Sequence, residues 1–346
     1  MTLIQEERWS AAVETLLSAK SLLLLGHVAP DGDALGSALA VGLALRDLPG
    51  SRRVEVSFGD DPFVVPANLE NLPGQSLLVS PKDITRAIAA DPSVAPDVVA
   101  TFDASSVDRL GVLREVGEEA STLLAVDHHA SYDGFGTMEL VDVSAPATAV
   151  IADQLIHRLG VNLTHDIAAC LYTGLVTDTG SFRYPGTTSD THEFAGRLLD
   201  AGIAFDVITR DLFDSVPFGY LGLLGHALES AQLEAEAAGG LGLVWTFVPA
   251  EERRRRRLAF DLVEPIIDTV RKAVEAEVAI VLKEDDDGEL RVSMRSKGQI
   301  DVSTVATLLG GGGHRYAAGF TAASKQPKEV IAELREALSA VASNKS

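Results

Sequence analysis

Apolar runs of strand length recur through the first half of the chain, at residues 21–25, 54–58, 98–102 and 123–126, and most of them end on Gly, Asp or His. Between them lie segments with apolar residues at helical spacing, over residues 8–20, about 34–46, 145–159 and 166–176. Continuous rather than alternating apolar strands, separated by helices, predict a mostly parallel sheet covered on both faces. Residues 190–235 read as largely helical. The stretch 234–240, rich in Ala, Glu and Gly, then predicts a turn into a second domain.

From residue 241 the pattern changes. It predicts a strand at 243–248, a helix at about 259–273 and a strand at 277–283. Asp285-Asp286-Asp287-Gly288 predicts a hairpin turn, with a return strand at 289–294. A short helix at 303–309, a glycine run, a strand at 319–322 and a helix at 328–341 complete the pattern. The expected organisation is an N-terminal α/β catalytic, metal-binding domain over 1–190, a helical linker over 191–235, and a smaller α/β substrate-binding domain over 236–346. At 346 residues the chain is long enough for two cores.

Composition narrows the function. Apolar residues at 46% and charged residues at 23% are ordinary for a globular protein. A formal net charge of −21 argues against a sequence-independent duplex-DNA surface, which needs a basic stripe. It leaves room for a small phosphorylated substrate, because bound divalent cations reverse the local field. The single Cys170 excludes an internal disulfide framework and a cysteine-rich zinc module, and its Ala-rich surroundings predict a buried small hydrophobe. The N-terminus is polar and acidic, unlike a secretory signal, and the run at 22–25 is far too short to span a bilayer. A cytoplasmic protein with no membrane partner is expected.

The chemistry lies where apolar runs end. After the first strand comes His27-Val28-Ala29-Pro30-Asp31-Gly32-Asp33, a tight loop that can turn His27, Asp31 and Asp33 inward before a helix opens at Gly36 and Ser37. Open α/β sheets place ligands at such strand ends. Asp103 follows the third strand, Asp127-His128-His129 follows the fourth, and Asp178 closes an apolar helical run. Each alone reads as a cap or a turn. Together, His27, Asp31, Asp33, Asp103, His128 and Asp178 supply four carboxylates and two imidazoles, more than one octahedral ion can use while admitting substrate. Two ions sharing a carboxylate can use them. Oxygen and nitrogen donors without sulfur suit Mn2+, with Mg2+, Co2+ or Zn2+ also compatible. In the second domain, Gly310-Gly311-Gly312-Gly313-His314-Arg315 and Met294-Arg295-Ser296-Lys297 offer donors for a phosphate or nucleotide.

These five segments, in this order from residue 27 to residue 315, resemble the DHH/DHHA1 phosphoesterases. Length and the lack of further domains resemble the branch of oligoribonucleases (nanoRNases) and pAp phosphatases, some of which also cleave cyclic di-AMP or pApA. The resemblance implies one Mn2+ on His27, Asp31 and Asp103 and a second on Asp33, Asp103, His128 and Asp178, with Asp103 bridging. It implies that Asp127 orients a histidine, and that His129 faces the scissile phosphate as electrophile or proton donor. Arg295, Ser296, His314 and Arg315, with the glycines at 312 and 313, would bind the rest of the substrate. Hydrolysis by a hydroxide bridged between two metals is then expected, in a cleft between the domains. A homodimer is compatible with this reading.

Three other readings compete: a manganese pyrophosphatase, a RecJ-like single-strand DNA exonuclease, and a non-catalytic nucleotide-binding regulator. The Gly310–His314 segment counts against the first, the absence of an evident OB-fold against the second, and the intact ligand set against the third. The basic run from Arg253 to Arg257 reads as a solvated helix face. His157, His165, His192 and His226 read as surface or cap residues. Trp9 and Trp245 are too scattered for a base-stacking platform.

Overall fold

In the computed structural model, residues 4–343 are described, apart from the side chain of Asp261. Residues 1–3 and 344–346, the outer ends of the two expected domains, lie outside the described residues. The chain divides into two compact units, Met1–Ser215 and Val216–Ser346.

The first unit holds five strands: β1 (Ser21–Gly26), β2 (Arg53–Phe58), β3 (Val98–Phe102), β4 (Leu123–Asp127) and β5 (Met138–Val141). All neighbours are parallel, in the order β2-β1-β3-β4-β5. The period of two sends Leu22 and Leu24 of β1 to the larger core, and Leu23 and Leu25 to a smaller one with Ile84, Val99, Leu110 and Leu123. Helices α1 (Glu6–Ser18), α2 (Gly32–Asp47), α3 (Pro81–Ala90), α4 (Arg114–Glu118), α5 (Thr148–Arg158), α6 (His165–Asp178), α7 (Ser189–Asp200) and α8 (Phe205–Phe213) complete the unit. Because β1 connects outward to β2 and the chain then returns to β3 on its other side, the strand order reverses between β1 and β3. A crevice at the carboxyl ends of the strands opens at such a point.

Helix α2 is buried continuously from Gly32 to Leu45 and crosses α6 closely. A Cβ at Gly36 would stand 2.4 Å from the Cys170 carbonyl oxygen, so the crossing requires glycine there. Cys170 is fully buried, and burial pushes its thiol pKa up.

The second unit begins with α9 (Phe218–Glu229) and carries β6 (Gln232–Glu234), β7 (Leu243–Val248), β8 (Val278–Glu284), β9 (Leu290–Ser296), β10 (Gly312–His314) and β11 (Ala317–Ala322). The sheet order is β10-β11-β9-β8-β7-β6, with β7 and β8 parallel and the other neighbours antiparallel. The β8–β9 hairpin turns where the acidic run predicts it: Asp285 Oδ1 accepts the amides of Asp287 and Glu289, and Gly288 takes φ +81°. The helical stretch of 190–235 is shared, α7 and α8 lying in the first unit and α9 in the second.

Two expectations are corrected. The helix expected at 259–273 is reduced to a turn at Asp261–Val263 and a short helix at Ile266–Val270. Pro265 lacks an amide donor and disfavours helical backbone at the residue before it. The arginine run is not a uniformly solvated face. Arg253 is only 4% exposed; its guanidinium donates to the Leu258 carbonyl at 3.1 Å and pairs with Asp286. Arg254, Arg255 and Arg257 are exposed. Among the described residues no helix is long and apolar enough to cross a membrane.

Candidate metal and phosphoester site

The strand ends of the first unit deliver their polar residues to one place. His27 follows β1, Asp103 follows β3, and Asp127, the last residue of β4, leads into His128 and His129. Asp31 caps α2, its Oδ1 accepting the Asp33 and Ala34 amides at 2.9 and 3.0 Å, so its second oxygen is left for other partners. Asp178 ends α6. Asp103 takes φ +60°, a left-handed backbone that a non-glycine residue adopts at a cost and that clusters at functional sites.

The donor atoms converge. His27 Nε2 lies 3.8 Å from Asp31 Oδ2 and 3.6 Å from Asp103 Oδ2. His128 Nε2 lies 3.5 Å from Asp103 Oδ1 and 2.9 Å from Asp178 Oδ2. Three groups have donor atoms within 4.8 Å of one another and could hold a metal ion: His27, Asp31 and Asp103; Asp33, His128 and Asp178; and Asp103, His128 and His129. Asp103 belongs to the first and third of these, and His128 to the second and third. His129 Nδ1 lies 3.5 Å from Asp103 Oδ1 and makes a shorter contact, 2.7 Å, with Asp127 Oδ1.

Asp127 Oδ1 also accepts the amides of His128 and His129, so this one oxygen fixes the whole triplet. Its Oδ2 is buried and has no hydrogen-bond partner among the described residues. A buried carboxylate oxygen in that state calls for a partner such as a water or a cation. The His128 ring is held from behind by the Ala145 carbonyl, 3.0 Å from Nδ1, which leaves Nε2 to face the acids.

Charge supports the same reading. Burial, then the charges of Asp31 and Asp178, raise the Asp103 pKa to about 6. Burial, Asp103 and Asp178 push Asp33 well above the usual carboxylate range. Burial opposes a charge on His128, but the hydrogen bond to Asp178 and the charges of Asp103 and Asp33 outweigh it and raise the pKa to about 11. Without a cation the cluster keeps protons to offset its own repulsion. The donor set, all oxygen and imidazole nitrogen, fits divalent ions of the Mn2+ or Mg2+ kind.

Three residues at this site escape sequence reading. Thr148 opens α5; its hydroxyl donates to Asp103 Oδ1 at 2.8 Å, and its amide donates to Asp33 Oδ2. Gly174 of α6 makes room for Asp33, since a Cβ there would meet Asp33 Oδ1 at 2.7 Å. Arg109 reaches His27, with Nη2 at 2.9 Å from Nδ1. The signals available were faint: a Thr at the start of a helical pattern, a Gly inside one, and an Arg six residues after Asp103.

In the second unit, cross-strand register sets His314 opposite Ala317, and Ala317 opposite Arg295, so the two basic residues share one row with a small residue between them. Arg315 Nη2 donates to the Gly298 carbonyl at 3.1 Å. Ser296 is 2% exposed and its hydroxyl donates to Glu277 Oε1 at 2.8 Å, a contact that shapes the turn after β9. Gly311 and Gly313 lie against β11 with no space for a Cβ, whereas nothing lies within 4 Å of one at Gly312. His157, His165 and His192 are exposed, although His192 stacks on Phe182 beside the Asp178 loop.

The family model for the DHH family, N-terminal domain, matches residues 21–175, and that for the DHHA1 domain matches residues 258–344. The chain is also 31% identical over 316 residues to the bifunctional oligoribonuclease and PAP phosphatase NrnA of Thermus thermophilus, covering 91% of this chain and 88% of that one. The chain belongs to the DHH/DHHA1 family. It is 24% identical to the cyclic-di-AMP phosphodiesterase GdpP of Geobacillus thermodenitrificans, covering 94% of this chain and 48% of that protein. Its fold is similar to the crystal structure of an exopolyphosphatase-related protein from Bacteroides fragilis, with a TM-score of 0.88 at 22% identity and 99% coverage of each chain.

Proposed function

We propose that this chain is a Mn2+-dependent phosphoesterase that hydrolyses short oligoribonucleotides, and pAp to AMP and phosphate, with pApA and cyclic di-AMP as further substrates. The observation that carries the reading is that Asp103 lies between the two imidazoles, its Oδ2 3.6 Å from His27 Nε2 and its Oδ1 3.5 Å from His128 Nε2. His27, Asp31 and Asp103 would hold one ion, and Asp33, Asp103, His128 and Asp178 the other. When bound, the two ions supply an activated water and offset charge on the phosphoryl oxygens. Relatives named as oligoribonuclease, PAP phosphatase and cyclic-di-AMP phosphodiesterase support the substrate class.

The chain's own residues do the rest. Asp127 orients the His129 ring and stabilises its protonated form; the His129 pKa is raised despite burial, through the Asp127 hydrogen bond and the Asp103 charge. His129 is thereby suited to donate a proton to the leaving oxygen or to hold a non-bridging one. Arg295 and His314, on their shared row, would take another phosphate or the terminal nucleotide, with Gly312 offering backbone approach and Arg315 adding charge. The hydroxyl of Ser296, engaged by Glu277, would support that turn more than it would touch substrate. A cytoplasmic location belongs to the same reading, since such nucleotides arise there.

The test is a Mn2+ assay across pAp, two- to five-residue RNA, pApA, cyclic di-AMP and pyrophosphate, with Asp103→Ala as control. Turnover of at least one nucleotide substrate, lost in Asp103→Ala, is expected. Hydrolysis of pyrophosphate alone would overturn the substrate class, and full activity of Asp103→Ala would overturn the two-ion assignment.

A further inference from the structure

Arg109 stands beside His27, and among the described residues no carboxylate holds it in an ion pair. Its Nη2 lies 2.9 Å from His27 Nδ1 and 3.4 Å from the Val28 carbonyl. In a chain of net charge −21, an exposed guanidinium facing a ring nitrogen beside an acidic cluster is unexpected. Its neighbours are otherwise occupied: Arg114 pairs with Asp108 and Glu118, and Asp60 Oδ2 accepts the Ala29 amide at 2.7 Å.

The position is built. The segment Val107–Leu113 lies against the loop after β1 and the end of β2 at backbone distance. The Val28 amide donates to the Arg109 carbonyl at 2.8 Å, and the Val112 amide donates to the Gly59 carbonyl at 3.0 Å. A Cβ at Gly59 would stand 1.8 Å from the Leu110 carbonyl oxygen, and one at Gly111 would stand 2.3 Å from Val28 Cγ1. Two glycines thus let this segment close on the metal-type loop, and Arg109 is the residue it delivers.

The hydrogen-bond count on His27 is the second observation. Nδ1 offers either an N–H or a lone pair, yet it faces the Val28 carbonyl at 2.8 Å, which requires an N–H, and Arg109 Nη2, which requires a lone pair. Both cannot be satisfied together. Nε2 is the nitrogen that points to Asp31 and Asp103. Arg109 therefore has only a contested contact with Nδ1 and a long one with the Val28 carbonyl, while its planar fork of donors is suited to phosphate oxygens.

We propose that Arg109, held beside His27 by the Val107–Leu113 segment, binds a non-bridging oxygen of the substrate's phosphate. The proposal rests on the phosphoesterase reading for its substrate. It makes Arg109 a substrate-binding residue of the first unit, in addition to Arg295 and His314 of the second.

The test uses the full chain as wild type, Arg109→Ala and Arg109→Lys, with metal-free thermal melts to establish folding. Mn2+ is titrated calorimetrically into metal-free protein, and inorganic phosphate into Mn2+-loaded protein. Arg109→Ala should bind Mn2+ about as tightly as wild type or more tightly, and phosphate roughly tenfold more weakly, as loss of one charge-assisted hydrogen bond implies. With pAp, its KM should rise by a similar factor, with partial rescue by added guanidinium. Arg109→Lys should fall between, and it carries the comparison if the alanine variant does not fold. Weakened Mn2+ binding with unchanged phosphate affinity would reduce Arg109 to a support for His27 and end the proposal. So would a Mn2+-loaded wild type that binds no phosphate. If wild type binds both but turns over no nucleotide, the phosphoesterase reading fails while the phosphate comparison still decides Arg109.

Discussion

Asp33 caps a helix to which it does not belong: its Oδ2 accepts the Thr148 amide at 2.6 Å and its Oδ1 accepts the Ala149 amide at 2.9 Å, 115 and 116 residues away. Helix α5 has no side-chain cap of its own, since Ala147 stands at its N-cap position. Its positive end therefore points at a metal-type carboxylate, and the Thr148 hydroxyl continues to Asp103. One helix terminus orients two of the residues proposed to hold ions.

Thr148→Val keeps the shape and the amide and removes only the hydroxyl. Asp103 Oδ1 then loses a buried donor, and Mn2+ affinity should fall by roughly 10- to 100-fold, the usual effect of deleting a group that orients a metal ligand. Calorimetric titration measures it; unchanged affinity would show that Thr148 has no part in the site.

Gly174→Ala and Gly312→Ala form a contrasting pair. At Gly174 the new methyl meets Asp33 Oδ1 at 2.7 Å and Ala149 Cβ at 3.0 Å, inside a buried crossing. Such overpacking should cost about 1–3 kcal/mol of stability, and Mn2+ binding should weaken with it. At Gly312 a methyl meets nothing within 4 Å, so the melting temperature should hold. If a substrate phosphate approaches that backbone, KM should rise without a change in Mn2+ affinity. A melt and a metal titration on both variants separate the two cases.

Metal binding should release protons at pH 7. With its pKa raised to about 11, His128 carries a proton there when no cation is present, and an ion taking Nε2 must expel it. Titrations of Mn2+ in two buffers of different ionisation enthalpy should give a difference equivalent to about one proton or more per chain. Identical apparent enthalpies would mean that His128 does not ligate.

A second pH effect belongs to the other unit. Glu234 accepts from Arg335 Nε and Nη2 at 2.8 and 2.6 Å and from Trp245 Nε1 at 2.6 Å. The Arg335 hydrogen bond, opposed by burial, lowers its pKa from 4.5. A depressed carboxylate pKa stabilises the fold above 4.5 and loses that contribution as the pH falls through the lowered value. Glu234→Gln should therefore melt at a lower temperature than wild type at pH 7, and the gap should close in acid. A gap independent of pH would assign the effect to packing.

Much of the site was legible in one dimension because its residues sit where apolar runs end, and a strand end is a position that pattern alone locates. The parallel sheet followed from the same runs. Missed elements lacked that signal. Strand β5 is only four residues and partly buried, and α3 and the segment around Arg109 follow loops with no sustained period. The helix expected at 259–273 failed because an apolar pattern continued across Pro265, where the backbone could not. Arg253 was misread because Asp286 and the Leu258 carbonyl, which bury it, are chosen by the β8–β9 hairpin and not by the run of arginines itself.

By itself the sequence determined the donor types, their order and the strands that carry them, since residue chemistry and hydrophobic period are local properties. Only the tertiary structure decided which donors meet. The reversal of strand order between β1 and β3 sets His27 beside Asp103. The close α2–α6 crossing, permitted by glycine, lays Asp33 against the α5 terminus. Backbone approach at Gly59 and Gly111 brings Arg109 to His27. Each of these is a contact between segments far apart along the chain, and its energy depends on packing that no local pattern encodes.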